Sequence, residues 1–113
     1  MPANRTLGKP PAQRMAMLRA MTPYLLATGQ IKTTVTRAKD VAPITEKMIT
    51  LAKKNDLAAY RQALSFITKE DVAKKLFDQI GPKYATRDGG YTRVVRIGPR
   101  RGDAAEMAIV QLV

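Results

Sequence analysis

The sequence predicts a two-layer α/β (α+β) fold, in which helices pack on one face of a small mixed sheet of about three strands. Three observations predict it. Apolar residues recur at helical i, i+3, i+4 spacing through much of the first 82 residues; alternation of period two marks three short stretches near residues 30, 91 and 107; and Gly, Pro and Asx residues punctuate the junctions. The expected element order is helix, strand, three helices and a final two-stranded hairpin.

Residues 1–11 carry Pro2, Gly8, Pro10 and Pro11 with Arg5 and Lys9 and almost no apolar side chains, which predicts a basic arm. The remainder, 12–113, is expected to form a single α/β domain, in keeping with a chain of 113 residues. Pro11 suits the first turn of a helix through Met15, Leu18 and Met21. Thr22-Pro23 either kinks that helix or starts a second short one, and Gly29 ends it. From Gln30 to Val35, Ile31, Thr33 and Val35 alternate with Gln30, Lys32 and Thr34, the pattern of a half-buried strand.

Ala38, Val41, Ala42, Thr45, Met48, Ile49 and Ala52 then trace a helical stripe. Pro43 falls inside it and should kink the helix or shift its start. Asp56 is the expected N-cap of a third helix carrying Leu57, Tyr60 and Leu64. Thr68 with Asp71 three residues on reads as a capping box for a fourth, which buries Val72, Leu76 and Ile80 and stops at Gly81-Pro82. A basic loop over 83–90 follows. Tyr91 to Ile97 alternates, with Tyr91, Arg93, Val95 and Ile97 opposed to Thr92, Val94 and Arg96. The segment Gly98 to Asp103 connects it to a second strand near Met107 to Leu112, giving a hairpin with a basic tip.

Charge carries the functional signal. Twenty Lys and Arg against nine Asp and Glu give a formal net charge of +11, which repels itself in a compact body and calls for a polyanionic partner. The excess is uneven: +7 over residues 1–39, +1 over 40–82, +5 over 83–101 and −2 over the last twelve. Outside the middle segment Arg outnumbers Lys nine to four, and a guanidinium grips phosphate in a bidentate fork. This distribution predicts nucleic-acid binding by two basic blocks. Gly89-Gly90 permits positive φ and close backbone approach to a phosphate chain, although a plain turn uses the same residues. Tyr91 has two readings, stacking on a base or packing in the core. The six Met residues are expected mainly to fill the core.

The same composition argues against catalysis. There is no His, no Cys and one Ser, so neither a nucleophilic triad nor histidine acid–base chemistry can be built, and the usual zinc ligands are missing. The carboxylates are scattered, and no phosphate-loop or dinucleotide motif occurs. No cofactor, metal or small-molecule substrate is expected. Neither a secretory leader nor an apolar run of membrane-spanning length is present, so no membrane partner is expected either.

The segment Gly89-Gly90-Tyr91-Thr92-Arg93, followed by Arg101-Gly102-Asp103-Ala104-Ala105-Glu106-Met107-Ala108, resembles the C-terminal signature of the bacterial large-subunit ribosomal protein L17 family. Ile31-Lys32-Thr33-Thr34, Ala38-Lys39, Ile49 to Lys54, Lys75-Leu76-Phe77 and Gly81-Pro82-Lys83-Tyr84 resemble the same family in the same order. Each piece alone is unspecific; their order and spacing are specific, and the resemblance covers the chain from about Leu7 to its end. It implies the fold order given above and a structural, non-catalytic role in the bacterial large (50S) subunit. It further implies binding to 23S ribosomal RNA near the outer opening of the peptide exit tunnel, beside neighbouring ribosomal proteins, in a cytoplasmic, ribosome-associated protein. Homo-oligomers are not expected. The candidate RNA contacts are Arg5, Lys9, Arg14, Arg19, Lys32, Arg37, Arg87, Gly89, Gly90, Tyr91, Arg93, Arg96, Arg100 and Arg101, which would bridge RNA segments through phosphates. The competing expectation is a DNA-compacting or regulatory nucleic-acid-binding protein.

Overall fold

The computed structural model describes residues 11–113, so the arm with Arg5 and Lys9 lies outside the described residues. Helix α1 (Pro11–Thr28) runs unbroken through Thr22-Pro23. Thr22 does not cap a new helix: its buried hydroxyl donates to the Leu18 carbonyl at 2.9 Å, satisfying it within the helix. Gly29 ends α1 as expected, with φ of 90° and its N–H bonded to Leu25 O at 2.8 Å. Strand β1 (Gln30–Thr34) follows, and Thr34 is both its last residue and the N-cap of α2 (Val35–Lys54). Helix α2 starts eight residues before Pro43, which sits in its interior with an exposed ring.

Asp56 caps α3 (Leu57–Ile67) by accepting from the Ala59 N–H at 2.7 Å, as its type and position predict. The buried stripe of α3 is Ala59, Ala63 and Ile67, however, and Leu57 is 63% exposed. Small side chains on that face let α3 approach its neighbours, which a Leu57–Leu64 stripe would prevent. The capping box is also corrected. Thr68 adopts φ of 64° as the C-cap of α3, its N–H bonding Leu64 O, and α4 (Glu70–Lys75) starts from Lys69 without a side-chain cap.

Nor does the chain stop at Gly81-Pro82. Helix α4 continues through a π-helical turn (Leu76–Ile80) into a last helical turn, α5 (Gly81–Lys83). The wider turn pairs Gly81 N–H with Leu76 O and absorbs the N–H that Pro82 lacks. Gly81 itself is buried against α2, where an added Cβ would stand 3.0 Å from the Ala52 Cβ.

Strands β2 (Thr92–Pro99) and β3 (Glu106–Leu112) form the expected hairpin. The sheet order is β1-β3-β2, and both pairings are antiparallel. The expected mixed sheet is thus corrected: β3 returns between β1 and β2, which run the same way but never touch. The register slips between Arg96 and Gly98, where β2 bulges.

Helices cover one face of this sheet. Leu18, Leu25, Val35, Ala38 and Val41 from α1 and the first half of α2 pack on Ala108 and Val110 of β3. The second half of α2 turns its Met48, Ile49, Leu51 and Ala52 to α3, α4 and the π turn, where Ile67, Leu76, Phe77 and Ile80 are buried. Helix α2 is therefore shared by two apolar clusters. Met48 and Met107 are buried as expected, whereas Met15 is 44% exposed. The long dimension is 44 Å, against 27 and 25 Å for the others.

Candidate nucleic-acid interface

The face of the sheet turned away from the helices is where two distant basic stretches meet. Direct partners across the strands share a face, so Gln30, Gln111 and Arg93 form one row and Lys32, Ile109 and Val95 the next. Lys32 comes from the first basic block and Arg93 from the second. Two inter-strand spacings, about 10 Å, separate their strands. No acid interrupts these rows, and Val95, in the second row, and Ile97, at the bulge, are exposed. Arg93 is fixed there: its Nη2 and Nε donate at 2.9 and 3.0 Å to the Gln111 carboxamide oxygen in the orientation those donors require. The guanidinium is aligned along the sheet before any partner arrives, which lowers the ordering cost of binding. Arg96 is exposed next to the bulge.

At the hairpin tip, Arg100 Nη2 and Nε donate to Asp103 at 2.6 and 3.1 Å, while backbone bonds of 2.7 and 3.0 Å to Ala105 and Ala104 close the turn. The guanidinium holds the Asp103 carboxyl down at about 2, against 3.8 for an ordinary aspartate. Arg100 is thus largely neutralised locally. Arg101, exposed beside it, has no ion-pair partner among the described residues.

The loop between α5 and β2 presents Arg87 on a braced backbone. The Arg87 N–H bonds Tyr84 O at 3.0 Å, and its carbonyl accepts from Lys53 Nζ on α2. Gly89 and Gly90 follow with φ of 85° and 66°, the left-handed conformation that their type permits. Tyr91 is 3% exposed and packs against Tyr84 with ring centroids 5.3 Å apart. Of its two readings the core prevails, because the residue precedes β2 and packs on Tyr84 instead of joining Val95 on the outer face. Its hydroxyl accepts from Lys53 Nζ at 2.9 Å, which together with the Gly89 backbone lowers the phenol below its usual range.

The remaining candidates lie on the helical layer. Arg14 is paired with Asp40 at 3.1 Å, and the two side chains are 19% and 6% exposed. Arg19 is exposed, with its guanidinium carbon 5.3 Å from the Phe66 ring centre. Arg37 is half-buried at the start of α2, its N–H bonded to the Thr34 hydroxyl. These three are not gathered with Lys32 and Arg93 on the open sheet face.

Residues of the nearly neutral middle segment build the interface from beneath. Glu46 Oε2 accepts from the Thr92 hydroxyl at 2.8 Å and its N–H at 3.3 Å, fixing the start of β2. Lys53 anchors the loop. Neither role leaves a signal in a charge count, because each depends on a partner about forty residues away. Among the described residues, no group of His, Cys, Asp or Glu could hold a metal, and no helix is long and apolar enough to cross a membrane.

The family model described as ribosomal protein L17 matches residues 17–113. The chain belongs to the ribosomal protein L17 family. It is therefore a ribosomal protein and not an enzyme. Similar proteins include the large ribosomal subunit protein bL17 of Clostridium tetani, 60% identical over 113 residues and covering 100% of both chains. The bL17 proteins of Clostridium acetobutylicum and Clostridium perfringens are 59% and 58% identical over 109 residues, 96% of each chain. The L17 match spans β1 to β3 whole, and with them every element that builds the open sheet face and the braced loop.

Proposed function

We propose that this chain is a structural constituent of the bacterial large ribosomal subunit that binds 23S ribosomal RNA near the outer opening of the peptide exit tunnel. The observation that carries the binding surface is the convergence of Lys32 and Arg93 on an acid-free sheet face, with Arg93 aligned by Gln111. Family membership and the names of its relatives support the assignment to the large subunit.

In this reading the contacts position RNA through its phosphates and its shape, not its base sequence. Lys32 and Arg93 serve the sheet face, Arg96 contributes from the bulge in β2, Arg87 with the Gly89-Gly90 backbone serves the loop, and Arg101 with Arg100 serves the tip. Arg19 and Arg37 add contacts from the helical side of the body formed by 12–113, and Arg5 and Lys9 on the 1–11 arm are further contacts in this reading. Arg14 and Tyr91 act as framework, since one is ion-paired and the other buried. Sheet face and tip lie along an elongated molecule, so separate RNA segments are bridged. The protein works in the cytoplasm on the ribosome, beside other large-subunit proteins.

Cosedimentation tests this. The tagged chain should travel with the large subunit at moderate salt and yield crosslinks to 23S RNA close to the exit opening. Recovery only in the soluble fraction, or equal affinity for duplex DNA and ribosomal RNA, would overturn it.

A further inference from the structure

Lys53 lies in the segment whose charges nearly cancel, and by sequence it is one more solvated lysine on α2. Its surroundings differ from that description. Nζ donates to the Arg87 carbonyl and, at 2.9 Å, to the Tyr91 hydroxyl, and it stands 5.1 Å from the centre of the Tyr91 ring. One ammonium therefore holds both ends of the stretch from Arg87 to Tyr91. Two of its three N–H donors are committed to fixed oxygens inside the protein, which leaves it poorly placed to serve a phosphate.

The chain on either side is tied independently. Tyr91 O accepts from the Val113 N–H at 2.9 Å, the Tyr84 hydroxyl donates to Val113 O at 2.5 Å, and Thr92 is held by Glu46. Between these anchors run Asp88, Gly89 and Gly90. A glycine pair has more backbone freedom than any other, so its shape must be imposed from outside.

We infer that Lys53 is a positioning residue for RNA binding: it holds the Arg87–Tyr91 loop in the shape that presents the Arg87 guanidinium and the Gly89-Gly90 backbone to RNA. The inference rests on the reading of this loop as an RNA contact. Lys53 acts through the loop and does not meet the RNA itself. Losing it should loosen the loop while leaving the sheet face and the tip in place.

The full chain is titrated with a 23S RNA transcript over a range of salt, as wild type and as Lys53→Met, Tyr91→Phe, Lys53→Arg and Lys54→Met. Lys54→Met removes an identical charge from an exposed neighbour, and Tyr91→Phe removes one acceptor and no charge. Lys53→Met should weaken binding by about fivefold to tenfold and lower the salt slope by about one, the signature of one lost phosphate contact. Tyr91→Phe should weaken binding in the same direction, Lys53→Arg should restore most of the affinity, and Lys54→Met should change it by less than about twofold. Amide exchange at Arg87 to Gly90 should quicken in Lys53→Met and stay at the wild-type rate in Lys54→Met. Equal effects of Lys53→Met and Lys54→Met, with Tyr91→Phe at wild-type affinity, would reduce Lys53 to an ordinary charge and overturn the inference. Wild-type affinity in Arg87→Ala would overturn the loop reading as well, so the two failures are told apart.

Discussion

Gly81 meets Ala52 so closely that an ideal Cβ on Gly81 would lie 3.0 Å from both the Ala52 Cβ and the Ala52 carbonyl oxygen. The last helical turn and α2 touch there backbone to backbone, with no flexible side-chain end to yield. Gly81→Ala should therefore destabilise the protein by about 1–3 kcal/mol, even though alanine has the higher helix propensity. In a chain of this size each kcal/mol lowers Tm by roughly 4–8 °C, so thermal unfolding reads the effect directly. An unchanged or raised Tm would mean that the two elements separate without cost.

The caps of α3 give a second, paired expectation. Asp56→Ala removes the acceptor of the Ala59 N–H and should cost about 1 kcal/mol in urea unfolding. Thr68 occupies the left-handed region at φ 64°, where a β-branched side chain is strained and glycine is not. Thr68→Gly should then stabilise by about 0.5–1 kcal/mol, whereas a capping-box threonine would lose stability on the same change.

These residues also show where the sequence was legible. Asp56 and Gly29 act through groups within a few residues, so type and position were enough to read them. Thr68 and Gly81 look like local punctuation as well, but the first serves the helix before it instead of the one after, and the second meets a distant residue. Thr68 closes the preceding helix, and Gly81 answers to Ala52 on another helix. The strands were visible because alternation is intrinsic to a pleated chain, yet their order was not. That β3 lies between β1 and β2, bringing Lys32 near Arg93, depends on pairing between residues some eighty positions apart. For the same reason Arg14 and Arg93 look alike in sequence and differ in the fold, one paired with Asp40 and the other laid on an open face.

The hairpin tip should titrate abnormally. Asp103 in the folded chain has its pKa lowered from 3.8 to about 2, with Arg100 as the main cause. A depressed carboxyl pKa favours the folded tip above the unfolded value and loses that contribution as pH falls from about 4 through about 2. Both side chains are exposed, so the effect belongs to the tip and not to global stability. A carbon-13 carboxyl titration should place the Asp103 midpoint near 2, and Arg100→Ala should return it toward 3.8. A midpoint already near 3.8 in the wild type would mean that the clamp is open in solution.

Arg14 and Arg93 should separate stability from binding. Arg14→Ala removes one ion-pair partner of a nearly buried carboxylate, Asp40, and should cost about 1 kcal/mol in urea unfolding. Its effect on the salt slope of RNA binding should be small, because the guanidinium is already spent on Asp40. Arg93→Ala reverses the pattern. Its loss leaves the half-buried Gln111 amide to water, so stability should shift by less than about 0.5 kcal/mol, while the salt slope should fall by about one. Gln111→Ala is the sharper variant. It removes no charge, but it frees the Arg93 side chain to move, and binding should weaken by about twofold to fivefold as the ordering cost returns to the association step. If Gln111→Ala binds 23S RNA as tightly as the wild type while Arg93→Ala does not, then Arg93 reaches its phosphate without being held in advance.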